Sequence, residues 1–395
     1  MKKFTSYICC EEYMQAKADI VIIGGGIVGT AVAFYLARER MGSVVLVEKE
    51  KFLGAGSTAK AAGGVRAQFH NKANIEMSML SKRLLCRFKE DTGADAAFDQ
   101  VGYLFLLSDD KDIRVFQDSY KLQKSLGLDV HLLKPDEIAR RAPHVRIDDI
   151  KMATFCPDDG LIDPHEFVTG YEQAARRYGA EFRLESEVLD IGVTSGRISG
   201  VRTANGEIST PLVINCAGAY SGKIARMAGA DVSIKPYRRQ CVTTGELDSV
   251  TPDLPMVVDV RTGFYCHPES KGLLLGWSDK SVKASFDISI DPDYTDSILE
   301  LALDRLPQLE TAEVANQWAG LYETTPDHRA IIGWAGEVDG MFHNTGYSGH
   351  GLMHAPAAGL ITSEILAGKK PSVDVESFSP QRFAAGTIVE ETNVI

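Results

Sequence analysis

The 395-residue sequence contains no apolar run that approaches the ~18 consecutive residues required by a membrane-spanning helix. It also has no dense run of lysine and arginine, and its formal net charge is −12. Because nucleic-acid backbones are bound through clustered positive charge, this balance argues against a nucleic-acid partner. The opening MKKFTSYICCEEYMQ lacks an apolar stretch long enough for a secretory signal, so we interpret it as a loose N-terminal extension.

Cysteine pairs and metal motifs are missing as well. The seven cysteines are scattered and show no CxxC spacing, which fits a reducing compartment and predicts a cytoplasmic location. Adjacent Cys9 and Cys10 are interpreted as free thiols. Neither GxSxG nor HExxH occurs, which argues against a hydrolase or a zinc enzyme of those types. One spacing stays open at this point, because His350 and His354 are four residues apart and would share one face of a helix, as metal ligands often do.

The hydrophobic content of the chain, 44%, is ample for a core. The first informative motif is ADIVIIGGGIVGTAVAFYLARER. A short apolar strand breaks into glycines, and helical periodicity then resumes. In a GxGxxG pattern the first glycine permits the turn, the second lets the backbone approach a pyrophosphate, and the third lets helix pack on strand. We therefore predict a dinucleotide site at the positive end of this helix. Its residues are Gly24, Gly26, Ile27, Val28 and Gly29.

A second predicted strand, Ser43 to Val47, ends in an acid that completes this pattern. Glu48 lies nineteen residues after Gly29, where a carboxylate would accept hydrogen bonds from an adenosine ribose. Strand, helix, strand and acid are in register. We therefore include Glu48 and Lys49 in the predicted dinucleotide site.

The next segment, EKEKFLGAGSTAKAAGGVRAQF, adds small residues and hydroxyls that would let the backbone lie close to a large flat ligand. Together with VGYLFLLSDD, PYRRQ, WAGLYETTPD and NTGYSGHGLMHAPAAG, it resembles the FAD-dependent amine oxidoreductases of the D-amino-acid oxidase superfamily. The resemblance extends from Asp19 to about Phe383. It is closest to the β subunits of dye-linked L-proline dehydrogenase and of sarcosine oxidase.

This resemblance implies an α/β fold: a Rossmann-like FAD-binding domain plus a substrate domain built on an antiparallel sheet that covers the flavin. Both domains would be discontinuous. The predicted FAD-binding domain takes residues 1–83, 152–230 and 322–395, and the predicted substrate domain takes residues 84–151 and 231–321. Local patterns predict helices at Asn74–Asp91, Ile113–Leu126, Phe167–Tyr178 (starting near Asp163-Pro164), Ser297–Arg305 and Met353–Leu366, and a meander of short strands across residues 181–215.

FAD is the cofactor that the resemblance implies. Monomeric sarcosine oxidase attaches its flavin to a cysteine two residues before a tyrosine of this motif, and this chain has Gly320 there. Noncovalent binding is therefore expected. Beyond the residues already named, the expected FAD contacts are Ser57, Thr58, Ala62, Gly63, Gly64, Arg66, Val188, Cys216, Ala217, Gly218, Gly346, Ser348, Gly349, His350, Gly351 and Leu352.

The resemblance changes the interpretation of the two histidines. The glycines of GYSGHG would let backbone amides approach a flat ring, and the helix after them would direct its positive end at the flavin, where negative charge gathers on reduction. His350 would then lie in the loop and His354 in the first helical turn, so their spacing is not helical throughout. We predict no metal site.

The resemblance also implies the residues that meet substrate. Tyr322 occupies the position of a substrate-binding arginine or tyrosine in related oxidases and would grip the carboxylate. Tyr265 would face the substrate, and Arg66 would lie beside the flavin ring. Met353 replaces a lysine of the sarcosine-type carboxylate pair, so Arg239 or Arg66 would have to substitute for it. The predicted catalytic residues are Tyr322, Tyr265 and Arg66, and the predicted substrate contacts are Tyr322, Tyr265, Arg239 and Met353.

Other departures from the oxidase pattern bear on function. A lysine that activates oxygen in monomeric sarcosine oxidase corresponds to Leu274 here, which favours a dehydrogenase. The resulting prediction is FAD-dependent oxidation of a small or secondary amino acid, L-proline first, with hydride passing to flavin N5 and electrons leaving to a non-oxygen acceptor or a second electron-transfer subunit. Sarcosine or glycine as substrate, a 2-hydroxy acid dehydrogenase, and a flavin-bearing partner or assembly subunit stay open as alternatives.

Overall fold

The computed structural model describes residues 16–247, 253–386 and 390–391, so the interpretation of the first 15 residues, Cys9 and Cys10 included, lies outside the described residues. None of the helices in these ranges is long and apolar enough to cross a membrane. The helices are α1 (Ile27–Arg38), α2 (Lys72–Cys86), α3 (Phe88–Thr92), α4 (Asp110–Ser125), α5 (Pro135–Arg141), α6 (Pro164–Arg177), α7 (Ser221–Met227), α8 (Pro292–Arg305) and α9 (Gly351–Leu366).

The strands form one eight-stranded, one six-stranded, one four-stranded and one two-stranded sheet within the described ranges. They are β1 (Ala16–Lys17), β2 (Ile20–Ile23), β3 (Val44–Val47), β4 (Gly64–Val65), β5 (Tyr103–Leu107), β6 (His131–Leu133), β7 (Met152–Cys156), β8 (Gly160–Leu161), β9 (Glu181–Arg183), β10 (Val188–Thr194), β11 (Arg197–Thr203), β12 (Gly206–Ser209), β13 (Val213–Asn215), β14 (Lys235–Thr244), β15 (Met256–Asp259), β16 (Phe264–Glu269), β17 (Gly272–Trp277), β18 (Val314–Thr324), β19 (Ile331–Trp334) and β20 (Met341–Thr345).

The six-stranded sheet is the nucleotide-binding core that the sequence predicts. Its order is β19-β20-β13-β2-β3-β9, and every pair except β19-β20 is parallel. Strands β2 and β3 are buried at every position, as a parallel sheet covered on both faces requires. Helices α1, α6 and α9 cover one face, while the four-stranded sheet and α7 cover the other.

The predicted strand meander is correct only in its middle. Strands β10, β11 and β12 pair antiparallel in the four-stranded sheet. The first and last strands of the predicted run, β9 and β13, instead pair in parallel with β3 and β2. Burial accounts for β13, whose three residues are all buried, as suits the centre of a parallel sheet and not the edge of a meander.

The eight-stranded sheet forms the second layer of the molecule. Its order is β18-β14-β17-β16-β15-β5-β7-β6, with only β15-β5 parallel. One face packs against α5 and α8, and the other turns towards the nucleotide-binding core. The predicted domain boundaries stay a prediction, but two of them cut elements, because α2 crosses residue 83 and β18 crosses residue 321. A third places β7 in the FAD domain, whereas β7 pairs with β5 in this sheet.

Several helix ends also differ from the prediction. The predicted helix from Asn74 to Asp91 is two helices, α2 and α3, separated at Arg87. Helix α8 begins at Pro292, five residues before the predicted start, because proline at the first helical position is tolerated where no N–H partner is needed. Helix α6 begins at Pro164, with Asp163 accepting hydrogen bonds from the first turn, as its Asp-Pro signal predicts.

Candidate active site

A cavity of about 610 Å³ lies between the carboxyl ends of the parallel strands and the inner face of the eight-stranded sheet. This is where open α/β sheets bind ligands. Of the predicted site residues, three do not line the cavity: Gly29, Gly346 and Ser348. The structure thus brings the other predicted cofactor and substrate residues together around one space.

The glycine loop forms one end of this cavity. Gly24 has a φ of +110°, and a Cβ there would lie 2.4 Å from the carbonyl oxygen of Cys216. A Cβ at Gly29 would lie 1.9 Å from the carbonyl oxygen of Gly24. Gly29 therefore serves helix-to-strand packing, as predicted, and leaves the cavity wall to its neighbours. No side chain caps α1 at Gly26, so its positive end is directed at the cavity.

Glu48 braces this loop from the end of β3. Its Oε2 accepts a hydrogen bond from the Gly25 N–H at 2.6 Å, and its Oε1 accepts one from the Glu50 N–H at 2.9 Å. Lys49, beside it, lies with its ammonium 5.1 Å from the centre of the Tyr220 ring. The acid therefore has a structural role in addition to any contact with a ribose.

Residues 57–66 run along the cavity floor. The Ser57 hydroxyl donates to the Leu321 carbonyl at 2.7 Å, and Thr58 Oγ1 accepts from the Ile27 N–H at 3.1 Å, which ties this segment to β18 and to α1. A Cβ at Gly64 would lie 1.9 Å from the Tyr103 hydroxyl. Tyr103, on β5, lines the cavity and was not predicted, because only the sheet pairing brings it here.

Arg66 is buried, with 1% of its surface exposed. Its guanidinium lies 3.9 Å from the centre of the Phe69 ring and donates to the Gln68 carbonyl at 2.5 Å. Its Nη2 lies 3.2 Å from His350 Nε2. Because arginine can only donate, His350 must accept through Nε2 and is neutral. Burial, and then the charge of Arg66, hold the pKa of His350 well below its ordinary value.

His354 is neutral and already bonded as well. Its Nε2 lies 2.8 Å from the Ser78 hydroxyl, and burial lowers its pKa to about 3. His350 precedes α9 as its N-cap residue, and the two ring centres are 6.0 Å apart. No group of three or more potential metal ligands occurs in the part of the chain that the structure describes. These contacts give both histidines a structural function.

The start of α9 forms another wall. The helix begins at Gly351, two residues earlier than predicted, and no side chain caps it. His350, Gly351, Leu352 and Met353 line the cavity, so the positive end of a 16-residue helix faces it. Ser348 and Gly346 lie behind this wall, where the Ser348 hydroxyl accepts from the Thr325 N–H at 3.2 Å. They position the loop and are not in direct contact with the cavity.

Two tyrosines lie at the end of the cavity away from the glycine loop, each against a glycine. A Cβ at Gly349 would lie 2.3 Å from the Tyr322 ring, and one at Gly276 would lie 2.1 Å from the Tyr265 ring. Burial raises the pKa of both phenols above the ordinary value. Both hydroxyls therefore stay protonated and can donate hydrogen bonds to an anion.

Two positively charged side chains, Arg239 and Lys60, line the same cavity as these tyrosines. Arg239, on β14, lies with its guanidinium carbon 5.3 Å from the centre of the Tyr322 ring. Lys60 also lines the cavity and was not predicted: a Cβ at Gly320 would lie 2.9 Å from its Cβ. Glycine at position 320 therefore leaves room for the Lys60 stem. Leu274 is buried in the same cluster as Tyr265 and Met256 but does not line the cavity.

Glu323 is a further residue that the sequence prediction missed. It follows Tyr322 on β18, and its Oε1 accepts from the Tyr347 N–H at 3.1 Å. Burial raises its pKa to about 7, although hydrogen bonds from the Tyr347 and Gly346 amides oppose the shift. Its carboxylate therefore holds the loop before α9 against the eight-stranded sheet.

These features define the class of protein. The chain has a glycine-rich strand-turn-helix unit, and an acid follows the next parallel strand. This unit borders a cavity, and a second, mostly antiparallel sheet closes the cavity from the other side. Oxidoreductases that bind a dinucleotide have this two-part arrangement. The profile of the family described as FAD dependent oxidoreductase matches residues 19–365. The chain belongs to this family, and it is an FAD-dependent oxidoreductase.

Relatives share both sequence and fold. The FAD-dependent oxidoreductase domain-containing protein 1 of Xenopus laevis is 28% identical over 96% of this chain and 85% of its own length. Mitochondrial sarcosine dehydrogenase of Mus musculus is 28% identical over 94% of this chain and 42% of its own length. This chain thus spans less than half of that dehydrogenase. The L-proline dehydrogenase structure from P. horikoshii is 32% identical with a TM-score of 0.88, covering 94% of this chain and 99% of that chain.

The residues fit FAD. A Cβ at Gly24 would collide with the Cys216 carbonyl, so this turn requires glycine. Neither α1 nor α9 is capped by the side chain of its own N-cap residue, and both starts line the same cavity with a positive helix end. The first suits a pyrophosphate, and the second suits a ring system that gathers negative charge. Ala62, Gly63, Val188, Ala217 and Gly218 add small or apolar walls between them.

Proposed function

We propose that the protein oxidises a small or secondary amino acid at its CH–NH bond, with L-proline as the first candidate substrate. One observation carries this proposal: the end of the cavity remote from the glycine loop combines two protonated tyrosines, Tyr322 and Tyr265, with two arginines, Arg66 and Arg239. Phenol and guanidinium donors together suit a carboxylate. The similarity to L-proline dehydrogenase and sarcosine dehydrogenase supports a substrate of this type.

The substrate carboxylate would be held first by Arg66 and Tyr322. Tyr322 lies against Gly349, next to His350, and His350 in turn accepts from Arg66. The neutral ring of His350 fixes one edge of the guanidinium and adds no competing charge. A charge-assisted contact of this kind contributes ~1.5–3 kcal/mol to binding.

The same cations would prepare the amine for oxidation. Amine oxidation requires the unprotonated amine, because the nitrogen lone pair must assist departure of hydride from the neighbouring carbon. Arg66, Arg239 and Lys60 all line the cavity, and nearby positive charge disfavours the ammonium form. These residues therefore lower the pKa of a bound amine without a dedicated base.

Bound FAD supplies the hydride acceptor for this reaction, at N5 of its ring, and the substrate leaves as an imine. The chain itself contributes orientation and charge. The Tyr265 and Tyr322 rings shape the end of the cavity, and the start of α9 provides positive potential opposite the sheet. We propose noncovalent attachment of FAD, because Gly320 offers no nucleophile and the Lys60 stem covers its α-carbon.

We propose that electrons leave to an acceptor other than oxygen, such as a dye-reactive carrier or a second electron-transfer subunit. The support is Leu274, which places an alkyl group in the buried cluster that contains Tyr265, where a cation would favour developing superoxide. We also propose a cytoplasmic location, because the described cysteines are free thiols, as a reducing compartment allows.

The test is anaerobic flavin reduction by L-proline, sarcosine, glycine and L-2-hydroxyglutarate, followed by absorbance. We expect at least one of the amines to bleach the flavin, and dithionite serves as the control that the flavin is reducible. Bleaching by L-2-hydroxyglutarate alone would replace the proposal with a hydroxy acid dehydrogenase. A flavin that dithionite reduces but none of the four compounds bleaches would favour a partner or assembly role.

A further inference from the structure

Arg239 is a cation without a balancing acid among the described residues. It lines the cavity, and its Nη1 donates only to the carbonyl of Arg238, at 2.9 Å. Its Nε is buried and has no hydrogen-bond partner in the described ranges. A buried guanidinium nitrogen without an acceptor is costly. Arg238 and Arg305 also have an Nε without a partner, but aspartates balance their charges, whereas no ion pair balances Arg239 among the described residues. A ligand anion would supply the missing charge.

The adjacent arginine, Arg238, differs because carboxylates balance the charge of its guanidinium group. Arg238 Nη2 lies 2.6 Å from an Asp291 carboxylate oxygen, and Nη1 lies 3.5 Å from one of Asp287. These acids lie on the other face of the sheet, in a separate surface groove. Arg239 has no corresponding ion pair among the residues described.

The acids that line the cavity have other hydrogen-bond or ion-pair partners, or lie at the other end of the cavity from Arg239. Glu48 accepts from the amides of the glycine loop and its own strand end, and Glu50 pairs with Lys49. Glu323 is turned to the Tyr347 amide. Glu187 lies next to Ser186, whose N–H donates to the Glu48 carbonyl at 2.8 Å, so it belongs to the same end of the cavity as Glu48.

Arg239 and Arg66 both lie near Tyr322, and the charge of each opposes the rise in the pKa of its phenol. Arg239 is above its ring at 5.3 Å, while the ring edge lies against Gly349, whose neighbour His350 contacts Arg66 at 3.2 Å. One carboxylate held by Arg66 and Tyr322 would leave Arg239 without an anion. A substrate with two carboxylates, one on either side of the amine, would meet both guanidinium groups.

We propose that the preferred substrate is a secondary amine that carries two carboxylates, an N-carboxyalkyl amino acid, and that Arg239 binds the second carboxylate. This inference rests on the proposed function and narrows its substrate class. The chemistry is that of the proposed reaction: the C–H bond next to nitrogen breaks, its hydride goes to FAD, and the nitrogen lone pair forms the C=N bond. The iminium ion that results retains both carboxylates and gives the imine when its N–H proton passes to water.

A matched pair of substrates isolates the second carboxylate. Sarcosine and iminodiacetate differ only in that an N-methyl group becomes an N-carboxymethyl group. In anaerobic flavin reduction by the holoenzyme we expect iminodiacetate to give a limiting rate over apparent Kd about tenfold or more above that of sarcosine, the effect of one added charge-assisted contact. Equal values, or a preference for sarcosine, would overturn the inference while leaving the proposed function standing.

A binding experiment tests for the second carboxylate site without requiring that the ligand be oxidised. Diglycolate and methoxyacetate are the oxygen analogues of the same two compounds and cannot be oxidised at an amine. We expect diglycolate to perturb the flavin spectrum with a Kd about tenfold or more below that of methoxyacetate. This difference, combined with no flavin reduction by any amine, would reject the proposed amine oxidation but keep the two-anion site.

Variants then assign the second carboxylate to Arg239. Arg239→Gln should raise the Kd for diglycolate about tenfold while leaving that for methoxyacetate nearly unchanged, because only the second anion is lost. Arg238→Gln, which removes the neighbouring charge on the other face, should keep the preference for diglycolate. An equal loss for both ligands in Arg239→Gln would mean that Arg239 binds the first carboxylate, which overturns the inference.

Discussion

Arg238 and Arg239 are consecutive residues of β14, yet their guanidinium groups lie on opposite faces of the eight-stranded sheet. Arg238 is held by Asp291 in an outer groove, and Arg239 lines the cavity above Tyr322. The alternation of side chains along a strand is the cause. The pair therefore places one charge in an ion pair on the outer face and the next charge on the cavity within two residues.

This separation predicts opposite effects of two similar substitutions on stability. Arg238→Gln should lower the free energy of unfolding by ~1 kcal/mol, because a partly exposed ion pair is lost. Arg239→Gln should leave it unchanged or raise it slightly, because a half-buried cation without an ion pair among the described residues is removed. Urea unfolding of the two variants beside the wild type measures both effects. A larger loss of stability in Arg239→Gln would contradict the assignment.

Tyr322→Phe should weaken carboxylate binding by ~1 kcal/mol, because one protonated phenol donor is removed while the ring stays in place. The measurement is the Kd of methoxyacetate from flavin absorbance. Tyr294→Phe is the matched control, since the Tyr294 hydroxyl donates to the Trp277 carbonyl at 2.5 Å and the residue does not line the cavity. An unchanged Kd in Tyr322→Phe would remove Tyr322 from the carboxylate site.

The sequence predicts best those parts of the fold whose contacts are local. The unit β2-α1-β3 and the start of α6 follow from glycines, apolar runs and an Asp-Pro cap that act within a few residues. Strand partners are not local. Residues 181–215 give the pattern of one run of short strands. Their partners are set only by the rest of the folded chain, which takes β9 and β13 into the parallel sheet and leaves β10 to β12 outside it.

In the candidate site, too, the sequence predicts the residues that belong to local motifs and misses those that depend on distant contacts. Gly24, Glu48 and Arg66 are placed by motifs, and the structure brings them to one cavity. Tyr103 and Lys60 were missed, because each reaches the cavity through a contact with a glycine distant in sequence, Gly64 and Gly320 respectively. No sequence pattern predicts a contact between a side chain and a glycine so far away along the chain. A signal did exist for Lys60, since it stands within the small-residue segment already assigned to FAD.

Gly24→Ala should yield protein with little bound FAD. A Cβ there would lie 2.4 Å from the Cys216 carbonyl, and the φ of +110° is unfavourable for any other residue. Gly56→Ala is the control, because Gly56 lines the same cavity and its Cβ would meet nothing within 4 Å. The ratio of 450 nm to 280 nm absorbance reports the FAD content. Equal ratios in the two variants would contradict the role given to Gly24.

Leu274→Lys should speed the reoxidation of reduced flavin by oxygen, because a cation in this cluster would stabilise developing superoxide. We expect an increase of about tenfold or more, equivalent to ~1.4 kcal/mol at the transition state. Stopped-flow mixing of the photoreduced enzyme with oxygenated buffer gives the rate. Leu274→Met controls for changed packing, and equal rates in both variants would refute the explanation for poor oxygen reactivity.

Glu323 makes stability depend on pH in a defined direction. Its pKa is raised by burial from an ordinary value of 4.5 to about 7, so the folded protein binds its proton more tightly than the unfolded chain does. The stability from this group is fully present below pH 4.5 and is lost as the pH rises through about 7. Because the residue is half-buried, the loss should be ~1–3 kcal/mol.

Glu323→Gln should remove this dependence, because the amide keeps an oxygen to accept from the Tyr347 N–H but carries no charge at any pH. We expect urea unfolding of the wild-type holoenzyme to give a lower free energy at pH 8 than at pH 5.5, and the variant to show a smaller difference. The comparison must be made between the slopes of the two proteins, since other groups titrate in both. If the two slopes coincide, the pKa of Glu323 is not raised in the folded protein, and the residue holds the loop before α9 as a carboxylate across this whole range.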